Sequence, residues 1–172
     1  MKKSIAFLAC FLSVLSALAA GGGILLEAED YKGNGYVKSD ESASGGKAVF
    51  GKTWYVFAKD IPIPEFDGKS AYCFVRVRSS QKAYWFLAYD PQKAFGWFQT
   101  PGEDKWVWVC IGKFTKSDAN KGFMPQIFMQ RPIGSTAKTA DGAMDAVIFS
   151  TSNNLQEAEK LFEDSSKKKV NP

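Results

Sequence analysis

The stretch Phe95–Ile111 reads FGWFQTPGEDKWVWVCI and holds three of the chain's five tryptophans. Aromatic and β-branched residues, which favour strands, lie on both sides of the Pro-Gly-Glu-Asp at 101–104. Proline and glycine followed by acidic residues are typical of a turn. The sequence therefore predicts a β-hairpin at the centre of an all-β domain.

Alternation along the predicted strands separates an aliphatic side from a bulky side. After the turn, the bulky side carries Trp106, Trp108 and Cys110, and the aliphatic side carries Val107, Val109 and Ile111. In Ser70–Ser79 the small residues are Ala71, Cys73, Val75 and Val77. We predict that the aliphatic sides face the core. We also assign Trp54 and Trp108 to the core.

Composition limits the classes of function. The chain has 172 residues, 45% of them hydrophobic, which suits one domain with a substantial core. The sequence has no histidine, which excludes Ser-His and Cys-His catalysis and His-ligated zinc. The formal charge is +4, of which Lys2 and Lys3 contribute two charges in a segment that we expect to be removed. No basic stripe stands out, so we do not expect a nucleic-acid partner.

The N-terminus has the three parts of a secretory signal peptide. Met1–Lys3 is basic, Ile5–Leu15 is apolar, and Ala17-Leu18-Ala19 fits a cleavage site. The apolar run is too short for a transmembrane helix, so we expect no membrane span after cleavage. We predict a signal peptide over 1–19 and a protein that is secreted, periplasmic or at the cell surface.

The remaining sequence predicts one β-domain followed by a helix. Strand signals recur every ten or so residues with no long helical period between them, which predicts a β-sandwich or jelly roll over 24–151. A short helix is expected within 152–164, with its apolar positions between Leu155 and Phe162. The basic, polar segment 165–172 is predicted to be disordered.

Several short motifs occur in an order that resembles one known group of proteins. They are Glu27-Ala28-Glu29, Ser44-Gly45-Gly46-Lys47, Gly68-x-x-x-Tyr72 with Arg76, the Trp-x-Trp at 106–108, and Asp145 before the aliphatic run to Phe149. This order resembles carbohydrate-binding modules of families 6 and 35 over about 25–150. The resemblance implies a galactose-binding-like β-jelly roll.

The resemblance also implies two sites. Glu27, Glu29 and Asp145 match the positions that hold a structural calcium ion in the family. Members often bind sugar in a loop cleft with aromatic residues and an asparagine two residues before the last-strand aspartate. That asparagine position is Ala143 here, and the two tryptophans are spaced by two residues where members often have three.

Aromatic residues are the candidates for sugar binding. The apolar C–H face of a pyranose packs on an aromatic ring while nearby amides and carboxylates bond its hydroxyls. The candidates are Trp97, Trp106, Tyr36 and Trp85. For any one of them a place in the core is the more common outcome, since large apolar side chains are usually buried and aromatic residues dominate core packing. Trp97 is the leading candidate because it follows Gly96, precedes a turn, and shares a strand side with Phe95 and Gln99.

Two functions remain open from the sequence. The first is a secreted, non-catalytic carbohydrate-binding protein whose partner is a glycan or cell-surface polysaccharide. The second is a secreted structural or adhesion module that contacts a protein or a cell surface. We do not expect an enzyme, because the candidate acids Asp90, Glu103 and Asp104 lie in predicted turns. Cys73 and Cys110 could form a disulfide or stay free.

Overall fold

Two antiparallel β-sheets and one helix make up the computed structural model, which describes residues 23–61, 66, 70–88, 94–115, 126–130 and 140–170. The strands are β1 (Gly23–Glu27), β2 (Tyr36–Ser39), β3 (Lys47–Lys52), β4 (Val56–Ala58), β5 (Ser70–Ser79), β6 (Ala83–Ala88), β7 (Ala94–Thr100), β8 (Val107–Thr115), β9 (Gln126–Gln130) and β10 (Asp141–Ser150). The helix is α1 (Leu155–Val170). This architecture confirms the predicted all-β sandwich with a C-terminal helix.

The last strand, β10, is the centre of the first sheet. The strand order in that sheet is β2-β3-β10-β5-β8, and β1 also pairs with β10. One edge of β10 pairs with β5, while its other edge pairs with β3 at Asp141–Met144 and with β1 at Ala146–Ser150. The second sheet has the order β4-β9-β6-β7.

The core lies between the sheets and is built from the predicted aliphatic sides. Val75 and Val109 are buried in it from the first sheet, and Leu87 and Met129 meet them from the second. Burying one such side chain stabilises the fold by roughly 1.5–3 kcal/mol relative to leaving it exposed. The alternation predicted for β5 and β8 is therefore confirmed.

The predicted hairpin around Pro101-Gly102 is wrong. β7 pairs with β6 in the second sheet, and β8 pairs with β5 in the first, so residues 101–106 cross from one sheet to the other. Gly102 adopts a φ of 82°, and a Cβ there would lie 2.3 Å from backbone atoms of Gln81 and Lys82. The turn therefore rests against the β5–β6 connection, where the Asp104 N–H also donates to the Ser79 carbonyl over 3.0 Å.

Helix α1 covers part of the outer face of the first sheet. Ala158 is buried against Phe74 and Ile148, and the Phe162 ring meets the Trp108 ring edge-on with centroids 5.3 Å apart. Trp108 therefore lies under the helix, outside the core between the sheets. The helix continues past Phe162 to Val170. None of the helices in the described ranges is long and apolar enough to cross a membrane.

Trp54 lies at the surface, and the two strand cysteines lie on opposite sides of the first sheet. Trp54 is 58% exposed, so its assignment to the core is wrong; it occupies a left-handed turn position, where strand alternation does not apply. Cys73 and Cys110 are free. Cys73 lies in the core between the sheets, whereas Cys110 packs in the cluster beneath α1, on the other side of the sheet. The predicted signal peptide, 1–19, lies outside the described residues.

Candidate functional site

The outer face of the second sheet carries a continuous row of aromatic rings. In β6, Trp85 and Leu87 point into the core, so alternation turns Tyr84 and Phe86 outward. Phe86 pairs with Trp97 of β7 on one side and with Phe128 of β9 on the other. The pairing of three adjacent strands thus brings the four rings of Tyr84, Phe86, Trp97 and Phe128 together, and we call this surface the aromatic face.

Contacts between these rings fix their orientation. Tyr84 and Trp97 meet edge-on, with centroids 5.1 Å apart and an interplanar angle of 85°. Phe86 and Phe128 stack, with centroids 5.2 Å apart and an angle of 13°. Such pairs stabilise each other by about 0.5–1.5 kcal/mol beyond burial of area. Trp97 nevertheless remains 61% exposed, so most of its ring is open to a ligand.

Amide side chains flank the rings. Gln99 and Gln130 pair with Tyr84 from the two neighbouring strands, and Gln126 shares the side of Phe128. The outward positions whose side chains are described in β6, β7 and β9 carry no charge. The aromatic face therefore offers apolar ring surface beside neutral hydrogen-bond donors and acceptors.

Tyr36 and Trp106, two of the predicted sugar-binding residues, lie on the first sheet instead. Arg78 lies between aromatic rings there, 4.7 Å from the Trp106 centroid and 5.4 Å from the Phe50 centroid. Tyr36 stacks on the other side of Phe50, with centroids 6.2 Å apart. The Trp106 Nε1–H donates to the Ser42 hydroxyl over 2.8 Å. The chain's own arginine thus occupies the space between these rings.

Acidic residues hold Arg78 in this position. Asp40 contacts the Arg78 guanidinium at 2.7 Å. Burial acts to raise the pKa of Asp40, but the hydrogen bonds from Ser42 and the charges of Arg78 and Arg76 together outweigh it. The pKa of Asp40 is therefore lower than usual. Ala143, at the position of the family's asparagine, is buried and pairs with Phe50 and Arg78. The space between the Phe50 and Trp106 rings is therefore occupied by the Arg78 guanidinium, which makes cation–π contacts with both.

Trp85, the fourth predicted candidate, belongs to the core. Its side chain is fully buried, and its ring centroid lies 4.8 Å from that of Phe57. Trp85 cannot contact a ligand on the surface. The structure thus places Trp97 on the aromatic face, Tyr36 and Trp106 on the opposite sheet, and Trp85 between the sheets. The sequence prediction missed Tyr84, Phe86 and Phe128, which alternation within 83–89 and 126–130 could have identified as outward residues.

The predicted calcium ligands lie near one another: Glu27 ends β1, Glu29 lies in the 3-10 turn that follows, and Asp145 is in the middle of β10. Asp145 is fully buried and accepts a hydrogen bond from the Ser44 N–H over 2.8 Å. Its other oxygen binds the Arg76 guanidinium. Ser44 Oγ donates to Glu27 Oε1 over 2.9 Å. Ser44 therefore links the first strand to the central strand.

The protonation of this acidic cluster is set mainly by burial. Burial raises the pKa of Asp145 to about 6, against the lowering effect of Arg76. Burial also raises the pKa of Glu29, and the charges of Glu27 and Asp145 add to the increase. Glu29 Oε2 is buried and has no hydrogen-bond partner among the described residues. Such an oxygen is a suitable ligand for a hard cation.

The arrangement fits a metal ion only in part. Within the described ranges, no three His, Cys, Asp or Glu side chains are placed together so as to hold a metal. Asp145 is bonded to Arg76 and Ser44, so Glu27 and Glu29 are the carboxylates that remain as candidate ligands. These groups could serve as oxygen ligands of calcium.

Comparison with known proteins finds solved structures of low sequence identity to this chain. No family model and no curated protein matches the chain. The chain is similar to the CBM36-1 domain of a multidomain xylanase from the hindgut metagenome of Trinervitermes trinervoides, with 14% identity over 77% of this chain and 100% of that chain, and a TM-score of 0.43. It is also similar to a carbohydrate-binding module CBM36 in complex with calcium and xylotriose, with 16% identity over 73% and 98% of the two chains and a TM-score of 0.41.

A third similar structure is the C-terminal CBM6 of LamC, a marine laminarinase from Zobellia galactanivorans. The identity is 13% over 76% of this chain and 100% of that chain, and the TM-score is 0.44. Family 6 is one of the two families that the sequence motifs resemble. At these identities and TM-scores, neither ligand nor site can be transferred to this chain.

Proposed function

We propose that the protein is a non-catalytic glycan-binding module and that the aromatic face is its binding surface. The observation that supports this most is the row of Tyr84, Phe86, Trp97 and Phe128 on one sheet face, with Trp97 mostly exposed. Trp97 is 61% exposed and Tyr84 and Phe86 are partly exposed beside it, while Phe128 is buried at the β9 end of the row. Exposed apolar patches of this kind mark interaction sites.

The chemistry of the face suits a sugar. The C–H face of a pyranose would pack on Trp97 or Tyr84, and the amides of Gln99 and Gln130 could bond its hydroxyl groups. Stacking on one or two rings leaves little free energy after the costs of association. The expected affinity is weak, on the order of micromolar to millimolar.

The first prediction concerns Trp97. A glycan array identifies a binding glycan, and calorimetry then compares wild type with Trp97→Ala. We expect Trp97→Ala to weaken binding about tenfold or more, because the main stacking surface is removed. The melting temperature should change little, because the ring is 61% exposed.

Trp106→Ala is the matched control. The Trp106 ring makes a cation–π contact with Arg78 on the opposite sheet, so this variant should lose stability and keep its glycan affinity. Unchanged affinity of a folded Trp97→Ala variant would contradict the proposed site. If wild type binds no glycan at all, the alternative of a structural or adhesion module with a protein partner is favoured.

The cellular location is proposed from the sequence alone. The basic, apolar and Ala-x-Ala segments of residues 1–19 support export, and the mature protein would then act outside the cytoplasm. An extracellular glycan would be accessible to it there.

We further propose that Glu27 and Glu29, with Asp145, bind calcium as a structural ion. The buried, unbonded Glu29 Oε2 and the mutual repulsion of the three carboxylates support this. A divalent cation would offset that repulsion. Arg76 already offsets part of it at Asp145, so the two glutamates are the principal ligands in this proposal.

A further inference from the structure

Trp54 combines an exposed ring with a strained backbone. All five tryptophans lie in described ranges, and only Trp54, at 58%, and Trp97, at 61%, are more than half exposed. Trp54 also has a φ of 71°. This left-handed conformation is a genuine outlier for a bulky residue.

The neighbouring backbone holds Trp54 in this conformation. The Trp54 N–H donates to the Met129 carbonyl over 2.7 Å, and the flanking Thr53 and Tyr55 N–H groups donate to Ala140 and Lys52. A turn of this kind needs a residue that tolerates positive φ, which glycine or asparagine would supply with less strain. The fold therefore does not explain why a tryptophan stands here. Strain that the fold does not require is typical of functional positions.

The hydrogen bond to the Met129 carbonyl places the Trp54 backbone next to β9, the strand that carries Phe128 of the aromatic face. Met129 precedes Gln130, and Gln130 pairs with Tyr84. The Trp54 backbone thus lies at the β9 side of the face, while Trp97 lies on the β7 side. From Trp54 to β6 is two strand spacings, or roughly 10 Å, with β7 one spacing further. A single pyranose ring cannot reach from one tryptophan to the other.

We propose that Trp54 is a second stacking position of the same site, so that the ligand is an extended oligosaccharide chain that crosses the strands from Trp97 to Trp54. This inference rests on the proposed glycan-binding function. The described outward positions between the two tryptophans are uncharged, so the ligand class is a neutral linear glycan.

The test uses linear neutral oligosaccharides of increasing length, from the disaccharide upward, of the type that the array identifies. Calorimetry compares wild type, Trp97→Ala and Trp54→Asn, since asparagine tolerates positive φ. We expect Trp97→Ala to weaken binding at every length. Trp54→Asn should bind the shortest ligand as wild type does and lose about tenfold or more on the longest. Tyr36→Ala, which removes an exposed ring from the other sheet, should bind every length normally.

Thermal unfolding supplies an independent readout. Trp54→Asn should be as stable as wild type or more stable, because the strain is relieved. A marked fall in melting temperature would mean that Trp54 has a structural role and would overturn the inference. Wild-type affinity of Trp54→Asn at all lengths, with Trp97→Ala impaired, overturns the inference and leaves the proposed function standing. If Trp97→Ala binds normally, or wild type binds none of the glycans, both are overturned.

Discussion

At the scale of single residues, two arginines of β5 distinguish the two faces of the sandwich. Arg78 lies over the rings of Phe50 and Trp106, and Arg76 lies 4.7 Å from the Phe162 centroid while it binds Asp145. These contacts use the ring faces of the first sheet within the protein itself. The aromatic face of the second sheet has no such cation among its described outward positions, so the exposed ring of Trp97 and the partly exposed rings of Tyr84 and Phe86 stay available to a ligand.

Gly102 gives a residue-scale prediction about the crossing between the sheets. A Cβ at Gly102 would lie 2.3 Å from the Gln81 carbonyl carbon and the Lys82 nitrogen, and its φ is 82°. Gly46 has a similar φ of 73° but no atom within 4 Å of a Cβ. We expect Gly46→Ala to cost about 1–2 kcal/mol for the left-handed conformation alone. Gly102→Ala should cost roughly 3 kcal/mol or more, because the backbone must also shift. Urea unfolding of both variants measures the difference, and equal costs would contradict the close packing at Gly102.

At the scale of elements, β8 shows what alternation can and cannot predict. Alternation correctly placed Val109 and Ile111 on the core side of β8 and Trp108 and Cys110 on the other side. The separate assignment of Trp108 to the core was wrong, because that side of the sheet is covered by α1. It could not predict the neighbours of β8, because alternation assigns the sides of a strand and not its partner. The Pro-Gly signal at 101–102 was a genuine turn signal. The turn crosses between the sheets, since β7 pairs with β6 and β8 with β5, and it packs on Ser79 and Gln81, which are distant in sequence.

The docking of α1 on the first sheet is tested by Phe162. The Phe162 ring contacts Trp108 edge-on and is covered by Arg76. We expect Phe162→Ala to lower the free energy of unfolding by about 1–3 kcal/mol, less than the 3–5 kcal/mol of a fully buried phenylalanine, because the ring is only partly buried. Urea unfolding followed by tryptophan fluorescence measures this. Glu163→Ala, at an exposed position of the same helix, should change stability by no more than about 0.5 kcal/mol. If both variants match wild type, α1 does not depend on this contact.

At the scale of the whole molecule, the sandwich has two outer faces of different chemistry. Helix α1 and the arginine–aromatic contacts cover much of the first, and the second presents neutral rings and amides. The sequence identified Trp97 as a ligand candidate from its place before a turn. It could not group Trp97 with Tyr84 and Phe86, because that grouping depends on which strands pair. The same limit explains why Tyr36 and Trp106, predicted for the same site, lie on the other face.

The acidic cluster joins three distant parts of the chain, and calcium binding there should therefore stabilise the whole fold. Glu27 ends β1 and Glu29 lies in the turn after it, Ser44 comes from the segment before β3, and Asp145 belongs to the central strand β10. An ion that binds only the folded state stabilises it by RT ln(1 + [L]/Kd), about 2.7 kcal/mol at one hundred times Kd. We expect a higher melting temperature in calcium than in a chelator.

Glu29→Gln tests whether this cluster is responsible for the calcium effect. The variant keeps the size of the side chain and removes the charge, so its melting temperature should no longer respond to calcium. Because burial raises the pKa of Glu29 in the folded protein, ionisation of Glu29 is less favourable there than in the unfolded chain. Glu29→Gln in chelator should consequently be at least as stable as wild type in chelator. Glu163→Gln, a charge change on the exposed side of α1, should leave the calcium response intact. Equal melting temperatures of wild type in calcium and in chelator would show that Arg76 and Ser44 alone balance these carboxylates.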